Sequence, residues 1–156
     1  MIYVRGQEMT EKEKNEKKKE YLNRYKNAVR KYESLQEQEQ QLREEMNGPK
    51  AIEYTDMPKA HRQSDLSDYM VRLDKILSKI INKKKEMQEI RLDIEDKIAD
   101  MMDGTQSRLL YLRYIKFLKW EDICVEIGYS WKQTHKIHSK ALANLEIPKE
   151  YMEVHT

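Results

Sequence analysis

The sequence contains little glycine, proline or cysteine. Its 156 residues include four Gly, three Pro and one Cys, which is Cys124. A lone cysteine cannot form a disulfide within the chain, and so few glycines argue against a Gly-rich loop that cradles a nucleotide phosphate. No stretch approaches the roughly 20 consecutive apolar residues that a membrane-spanning helix needs. These absences argue against a transmembrane protein and against a Gly-cradled nucleotide enzyme.

What is abundant is charge. Asp, Glu, Lys and Arg make up 37% of the residues, the hydrophobic types only 38%, and the mean hydropathy is −0.99. This balance favours long solvated helices over one compact globule, and we predict an all-α fold. The charged residues 1–19 have no apolar run behind them, so no secretion signal is expected and the predicted location is the cytoplasm.

The first predicted helix begins with a capping box, Thr10 and Glu13, in which the two side chains can satisfy free backbone N–H groups. Gly48 and Pro49 are expected to end it. Residues 1–8 add no pattern and are given no structural role. Apolar or semi-apolar residues recur along the helix in steps of three and four, as in a coiled coil: Tyr21, Tyr25, Ala28, Tyr32, Leu35, Leu42 and Met46.

A second long helix is predicted to open at Ser64 or Asp65, after a loop at residues 47–64. Its seam consists of Leu66, Tyr69, Leu73, Ile76, Ile80, Met87, Ile90, Ile94 and Met101. Leu77, Ile81 and Ile98 widen this seam, which favours packing on more than one neighbour. The period fits an antiparallel hairpin within one chain and pairing across a dimer equally well. Residues 10–103 are therefore interpreted as a long helical hairpin or oligomerisation region.

The pattern changes at residue 104, where a second domain, residues 104–147, is predicted. Asp103 and Gly104 break the preceding helix, and Thr105 can cap the next one. A short helix over 120–127 ends at Gly128, and Ser130 caps a further helix. The buried stripe of that last helix is predicted to be Thr134, Ile137, Ala141 and Leu145. Two helices joined through a glycine form a helix-turn-helix.

Charge is separated between these two helices. Residues 104–145 contain seven Lys and Arg against three Asp and Glu, and all three acids lie in 120–127. The run from 130 to 145 contains Lys132, Lys136 and Lys140 and no acid. Such a surface is typical of a protein that faces a polyanion, although three lysines four residues apart also fit a merely solvated stripe.

The C-terminal domain resembles region 4 of bacterial sigma factors. The resemblance rests on an arginine-tyrosine pair, an acidic helix start that follows a tryptophan, a glycine turn and a closing Lys-Ala-Leu-x-x-Leu. These are Arg113-Tyr114, Trp120-Glu121-Asp122-Ile123, Gly128-Tyr129-Ser130 and Lys140-Ala141-Leu142-Ala143-Asn144-Leu145. The resemblance covers about a quarter of the chain and implies duplex DNA binding and contact with RNA polymerase.

The whole chain is also similar to small proteins from phages and prophages of Gram-positive bacteria, some of which activate late genes. A long charged N-terminal helix, the stretches 56–58 and 65–70, and the sigma-like end carry this similarity. The similarity implies the cytoplasm of a bacterial host cell. Region 4 usually has an arginine and a glutamate where this chain has Trp131 and Lys132, so a standard −35 promoter element is not the expected target. The heptad-patterned remainder leaves no room for the other sigma regions.

Roles on DNA follow if the helix that starts after Ser130 lies in the major groove. Its early residues would meet base edges: Trp131, Lys132, Gln133 and Lys136. Flanking residues would contact backbone phosphates: Ser130, His135, Lys140 and, from the turn before the first helix, Lys119. The Trp131 ring can stack on a sugar or thymine methyl, or fold back on Tyr129, whereas Trp120 is expected in the core.

No enzyme chemistry is predicted. His135 and His138 have a spacing that could bring two imidazoles to one metal, but no third ligand accompanies them. Both histidines are expected to face DNA or solvent. The carboxylates alternate with bases along solvated helices, and Cys124 lies on a packing face without an activating base. We expect no catalytic residue, no metal and no cofactor.

The predicted function is sequence-specific binding of double-stranded DNA by a transcriptional regulator, an activator of phage or prophage genes. A homo-oligomer, with a dimer favoured, RNA polymerase as a further partner and no membrane association are part of this prediction. One alternative is a DNA-packaging component similar to a small terminase subunit, which a ring of many chains would favour. Another is a coiled-coil interaction module that binds RNA polymerase, which an absence of salt-dependent DNA binding would favour.

Overall fold

The computed structural model describes residues 3, 4, 7–47 and 59–153, with side-chain surroundings for 8–47 and 64–153. The fold is all-α, as predicted. Over this part of the chain the helices are α1 (Glu11–Asn47), α2 (Lys59–Ala99), α3 (Gly104–Tyr114), α4 (Trp120–Ile127) and α5 (Trp131–Asn144), followed by a 3-10 turn at Lys149–Tyr151. None of the described helices is long and apolar enough to cross a membrane.

The beginning of the chain contains one short pair of strands. β1 (Tyr3–Val4) pairs antiparallel with β2 (Gln7–Glu8). The expectation that residues 1–8 have no structural role is therefore wrong at these residues. Periodicity could not detect the pair, because two residues per strand are too few to show an alternation.

The N-terminal capping box of α1 is present as predicted. The Thr10 backbone N–H donates to Glu13 Oε2 at 2.8 Å, and the Glu13 backbone N–H donates to Thr10 Oγ1 at 3.2 Å. The reciprocal bonds satisfy two donors that have no partner within the helix.

The second long helix begins earlier than predicted. α2 starts at Lys59 and not at Ser64 or Asp65, so residues 59–64 of the predicted loop are helical. No Gly or Pro lies between Lys59 and Ser64, and good helix formers precede the serine, so the helix extends past a possible cap. Asn47, the first residue of the predicted loop, is the last residue of α1, and residues 48–58 lie outside the described residues.

The chain divides into two compact units. The hairpin unit consists of residues 28–88, and the terminal unit consists of residues 1–27 and 89–156. Within the hairpin unit, Arg30 and Lys31 share a groove with Lys79, whereas Leu42 shares one with Tyr69. As the residue numbers rise along α1, the residue numbers of the contacted positions on α2 fall. The two helices therefore run antiparallel and pair within one chain.

The interior of the hairpin unit is thin. Ala28, Leu42 and Leu73 are buried, and most other seam residues are partly exposed. Leu66, predicted as a seam residue, is 50% exposed, so its assignment to the buried seam is wrong. Its spacing satisfies the heptad, but a period alone does not say which of two adjacent stripes faces the partner helix.

The main core lies in the terminal unit. It joins the first part of α1, the last part of α2 and the C-terminal helices, and its fully buried side chains include Tyr21, Leu22, Ile94, Leu109, Leu110, Ile123, Leu142 and Leu145. Leu22 is next to the predicted seam and not in it, because here α1 packs on more than one neighbour. The core therefore draws on residues from both sides of the boundary at 103 and 104.

A polar cluster ties α1 to α2 inside the terminal unit. Tyr21 Oη donates to Asp93 Oδ2 at 2.6 Å, and Arg24 Nη2 donates to the same oxygen at 2.9 Å. Partial burial raises the pKa of the Asp93 carboxyl, but these two hydrogen bonds outweigh it and leave the pKa below its ordinary value. Arg24 also donates to Tyr151 Oη at 2.7 Å, which fixes the chain after α5 to the same cluster.

A candidate nucleic-acid interface

The three C-terminal helices pack on one another and begin with well-formed caps. α3 contacts both α4 and α5, and α4 contacts α5. α3 is capped by Asp103, whose side chain accepts from the Gln106 N–H, so the prediction that Thr105 caps this helix is wrong. The cap at Asp103 starts the helix at Gly104, two residues earlier than a cap at Thr105 would, and so lengthens α3 by about half a turn.

The turn between α4 and α5 has the expected chemistry. Gly128 has φ 74° and ψ 32°, the left-handed conformation that favours glycine, and its N–H donates to the Cys124 carbonyl. Ser130 follows as the N-cap of α5, and its hydroxyl accepts from the Gln133 N–H at 3.2 Å. The direction of α5 relative to α4 is set by these two residues.

One face of α5 is buried against α3 and α4. Thr134, Ala141 and Leu145 are buried as predicted, and Ile137 is partly buried. His138 is also buried, with 7% of its surface exposed, so the expectation that it faces DNA or solvent is wrong. A histidine between two turns of apolar residues can enter a core when its polar atom has a partner there.

That partner is Tyr114, the second residue of the arginine-tyrosine pair. Its Oη lies 2.8 Å from His138 Nε2. Burial lowers the pKa of His138 to about 4 and raises the pKa of Tyr114 to about 12, so both groups are uncharged at neutral pH. The pair joins α3 to α5 without a buried charge.

Aromatic rings continue outward from this pair. The Trp120 ring lies 4.8 Å from the His138 ring and 4.4 Å from the His135 ring, and Trp131 lies 4.7 Å from His135. The Arg113 guanidinium covers Trp120 at 4.7 Å. Trp120 remains partly exposed, so its expected place in the core is only partly realised.

The opposite face of α5 is exposed and basic. Lys132, Gln133, Lys136 and Lys140 are exposed, and α5 contains no acidic residue. At ~100° per residue, the middle of this group lies roughly 170° around the helix from the middle of the buried face. We call these four residues the basic face of α5.

The other predicted DNA-contacting residues lie around this face. Ser130 is exposed at the N-terminus of α5, and Trp131, 52% exposed, follows it. Lys119 is exposed and occupies the N-cap position of α4. His135 is only partly exposed, and its ring packs between Trp120 and Trp131.

Side chains of α1 contact the C-terminal half of α5, a support that the sequence did not indicate. Lys18 Nζ donates to the Ala143 carbonyl at 2.9 Å, and Asn15 Nδ2 donates to the Ser139 carbonyl at 3.4 Å. Burial lowers the pKa of the Lys18 amine from its ordinary value. The amine satisfies a carbonyl in the last turn of α5 that has no partner within the helix.

The loop between α3 and α4 is also held from α1. Phe117 has a φ of 57°, unusual for a residue with a side chain, and its ring stacks on Tyr25 with centroids 5.4 Å apart. Arg113 Nη1 donates to the Leu118 carbonyl at 2.9 Å. These contacts fix the start of α4, where Lys119 lies.

Comparisons with known proteins add no family. No protein-family model matches the chain, and no curated protein and no solved structure is significantly similar to it.

Proposed function

We propose that the chain is a transcriptional regulator that binds double-stranded DNA sequence-specifically, an activator of phage or prophage genes. In this proposal α4, the turn at Gly128 and α5 act as a helix-turn-helix, and α5 enters the major groove. The sequence resemblance to region 4 of sigma factors supports a role in transcription. Activation would then work by recruitment of RNA polymerase.

The observation that carries the proposal is the basic face of α5. An exposed lysine stripe is often only solvated, and such a stripe normally alternates with acids that form i,i+4 pairs. Here no acid interleaves, and the helix is anchored by a buried face, a serine cap and the contacts from α1. A rigid helix with one unneutralised cationic side is suited to lie against phosphates.

Each residue of that face has a role in the proposal. Gln133 can pair with adenine in a bidentate manner, and Lys136 can donate to guanine O6 or N7, with each good bidentate pair contributing ~1–3 kcal/mol of discrimination. Lys132 and Trp131 would contact base edges next to Gln133 and Lys136. Lys140, Ser130 and Lys119 would contact phosphates, which position the helix without reading sequence.

A dimer fits this mode of binding. Two copies would present two α5 helices to half-sites about 34 Å apart, one turn of the duplex, or a multiple of that distance. Half-site spacing in a recovered operator would therefore report the geometry of the dimer.

The deciding experiment is retention of short duplexes from the gene's own genomic neighbourhood, at two salt concentrations. Lys132→Ala/Lys136→Ala should lose the retained fragment at the higher salt concentration, because both substitutions lie on the basic face. Lys12→Ala/Lys149→Ala removes two exposed lysines elsewhere in the terminal unit and should retain it. If wild type and Lys132→Ala/Lys136→Ala bind no duplex even at low salt, the DNA-binding proposal is wrong and the interaction-module alternative takes its place.

A further inference from the structure

The hairpin unit has its charges sorted along its length. Segments 28–32 and 75–85 together contain seven Lys and Arg and no Asp or Glu. Segments 33–47 and 64–74 contain eight Asp and Glu and two Arg. Because the helices run antiparallel within this unit, the two basic segments lie side by side, as do the two acidic ones.

The basic segments line one groove between α1 and α2. Arg30 and Lys31 line it from α1, and Lys79 and Lys83 line it from α2. Ser34, Gln38 and Asn82 add neutral hydrogen-bonding groups to the same groove. We call the set Arg30, Lys31, Lys79 and Lys83 the hairpin groove.

One acid also lines the groove and neutralises one of its cations. Glu86 accepts from Lys83 Nζ at 2.9 Å, and this hydrogen bond and the charges of Lys83 and Lys31 lower the pKa of the Glu86 carboxyl. Arg30, Lys31 and Lys79 are exposed, and no ion pair involves them within the described residues. The groove is therefore cationic after its one ion pair has been counted.

The pattern differs from that of the other charged stretches of the same helices. There, cations pair with acids three or four residues away, as Lys14 does with Glu11, Arg43 with Glu39 and Arg91 with Glu95. Of the groove cations, Lys31 and Lys79 have no acid at those distances, whereas Arg30 and Lys83 each have a Glu three residues on. Lys75, Lys79 and Lys83 form a row of like charges four residues apart. Such rows destabilise an isolated helix, so the arrangement suits a surface that is neutralised by a ligand.

We propose that the hairpin groove binds the sugar–phosphate backbone of duplex DNA, as a second contact surface separate from α5. The lysines of α2 that lie four residues apart recur every ~6 Å along a straight helix. The negatively charged phosphates of a duplex also recur at regular intervals along its backbone, so a row of cations can face a row of phosphates. Arginine and lysine with neutral amide and hydroxyl donors between them are the groups that contact phosphate oxygens in protein–DNA complexes. Binding here is independent of sequence and depends on salt. The proposal goes beyond the regulator function and does not need α5 to read bases.

The test uses a non-cognate duplex and the full-length Lys132→Ala/Lys136→Ala protein, so that the basic face of α5 contributes little. Binding is followed by fluorescence anisotropy at several salt concentrations. Adding Arg30→Gln/Lys79→Gln should weaken binding roughly tenfold at low salt and reduce the slope of log K against log salt by about 1 to 2, since each lost phosphate contact removes ~0.9. Glutamine is a good helix former, and circular dichroism checks that the hairpin stays helical.

The matched control is Arg43→Gln/Arg72→Gln in the same background. It also removes one cation from each helix of the hairpin unit, but from the acidic segments, and it should change affinity less than twofold. Equal weakening by both pairs would mean that only net charge matters and would overturn the proposal. An unchanged affinity in Arg30→Gln/Lys79→Gln, the result expected if the groove binds an acidic protein, would also overturn the proposal. The absence of any binding by the background protein at the lowest salt would overturn it as well. The regulator function is tested separately, on a cognate fragment with the groove intact.

Discussion

Tyr114 and His138 are joined by a 2.8 Å hydrogen bond between Oη and Nε2 inside the core of the terminal unit. The bond links α3, which carries the arginine-tyrosine pair, to α5, which carries the basic face. Its partners are neutral, so it orients α5 without the desolvation cost of a buried charge.

Removing one partner of this bond should be costly. Tyr114→Phe leaves the imidazole nitrogen buried without a partner, and we expect a loss of about 1–3 kcal/mol in the free energy of unfolding, measured in urea. Tyr111→Phe, the same change at a partly exposed position of α3, should cost much less. Tyr114→Phe/His138→Leu removes both polar groups and should cost less than the sum of the two single substitutions. Additive costs would show that the bond contributes nothing.

The buried histidine also predicts how stability depends on pH. In the folded protein its pKa is about 4 against an ordinary 6.5, so below pH 6.5 the unfolded chain takes up a proton that the folded chain does not. The His138 contribution is therefore complete above about pH 6.5 and is lost as the pH falls toward 4, by up to about 3 kcal/mol. Unfolding curves at pH 7, 5.5 and 4.5 measure this, and His138→Leu should have the flatter profile. Parallel profiles would contradict it.

Substitution by alanine should have opposite effects at Gly128, in the turn before α5, and at Gly104, at the start of α3. Gly128 has a φ of 74° with open space around it, so Gly128→Ala meets no neighbour but strains the backbone and should cost about 1–2 kcal/mol. Gly104, at the start of α3, also has open space and no positive φ, so Gly104→Ala should be neutral or stabilise by up to about 1 kcal/mol. Thermal unfolding of both variants measures the difference, and equal melting temperatures would contradict the assignment of strain to Gly128.

Ser130 allows helix capping and DNA contact to be separated. Ser130→Ala removes the cap on α5 and should cost about 1 kcal/mol of stability. Ser130→Asp keeps a capping oxygen and adds a negative charge that suits a helix N-terminus, so stability should be retained. If the proposed DNA contact is right, the added charge repels phosphate and Ser130→Asp should bind the cognate duplex at least tenfold more weakly. Unchanged DNA affinity in a stable Ser130→Asp protein would place this helix end away from the duplex.

Features that depend on a few neighbouring residues were predictable from the sequence. The capping box of Thr10 and Glu13, the left-handed Gly128 and the cap at Ser130 each join residues at most four positions apart. The apolar period likewise identified both long helices and three of the buried positions of α5. At the caps and the turn, local backbone geometry alone selects the residue types, whereas the apolar period reflects burial of one helix face.

Features that depend on distant contacts were not predictable. The period places His138 on the buried side of α5, four residues after Thr134 and three before Ala141, but it does not show the partner that lets an imidazole enter the core, which is Tyr114, 24 residues away. The contact of Lys18 with the Ala143 carbonyl joins residues 125 positions apart. Leu66 shows the converse, a residue with the right period that stays half exposed among the described residues. The DNA-contacting roles of the basic face remain predictions.

The division of the chain at residues 27 and 89 has a consequence for how the molecule can vary. The terminal unit is built from two separate stretches of sequence, and the hairpin unit is in effect an insertion between them. Because its two helices run antiparallel, seven residues added to each side would lengthen the hairpin by two turns and keep the apolar seam in phase. Insertions of this kind are therefore expected to change the length of the hairpin unit and to leave the contacts that hold α5 unchanged.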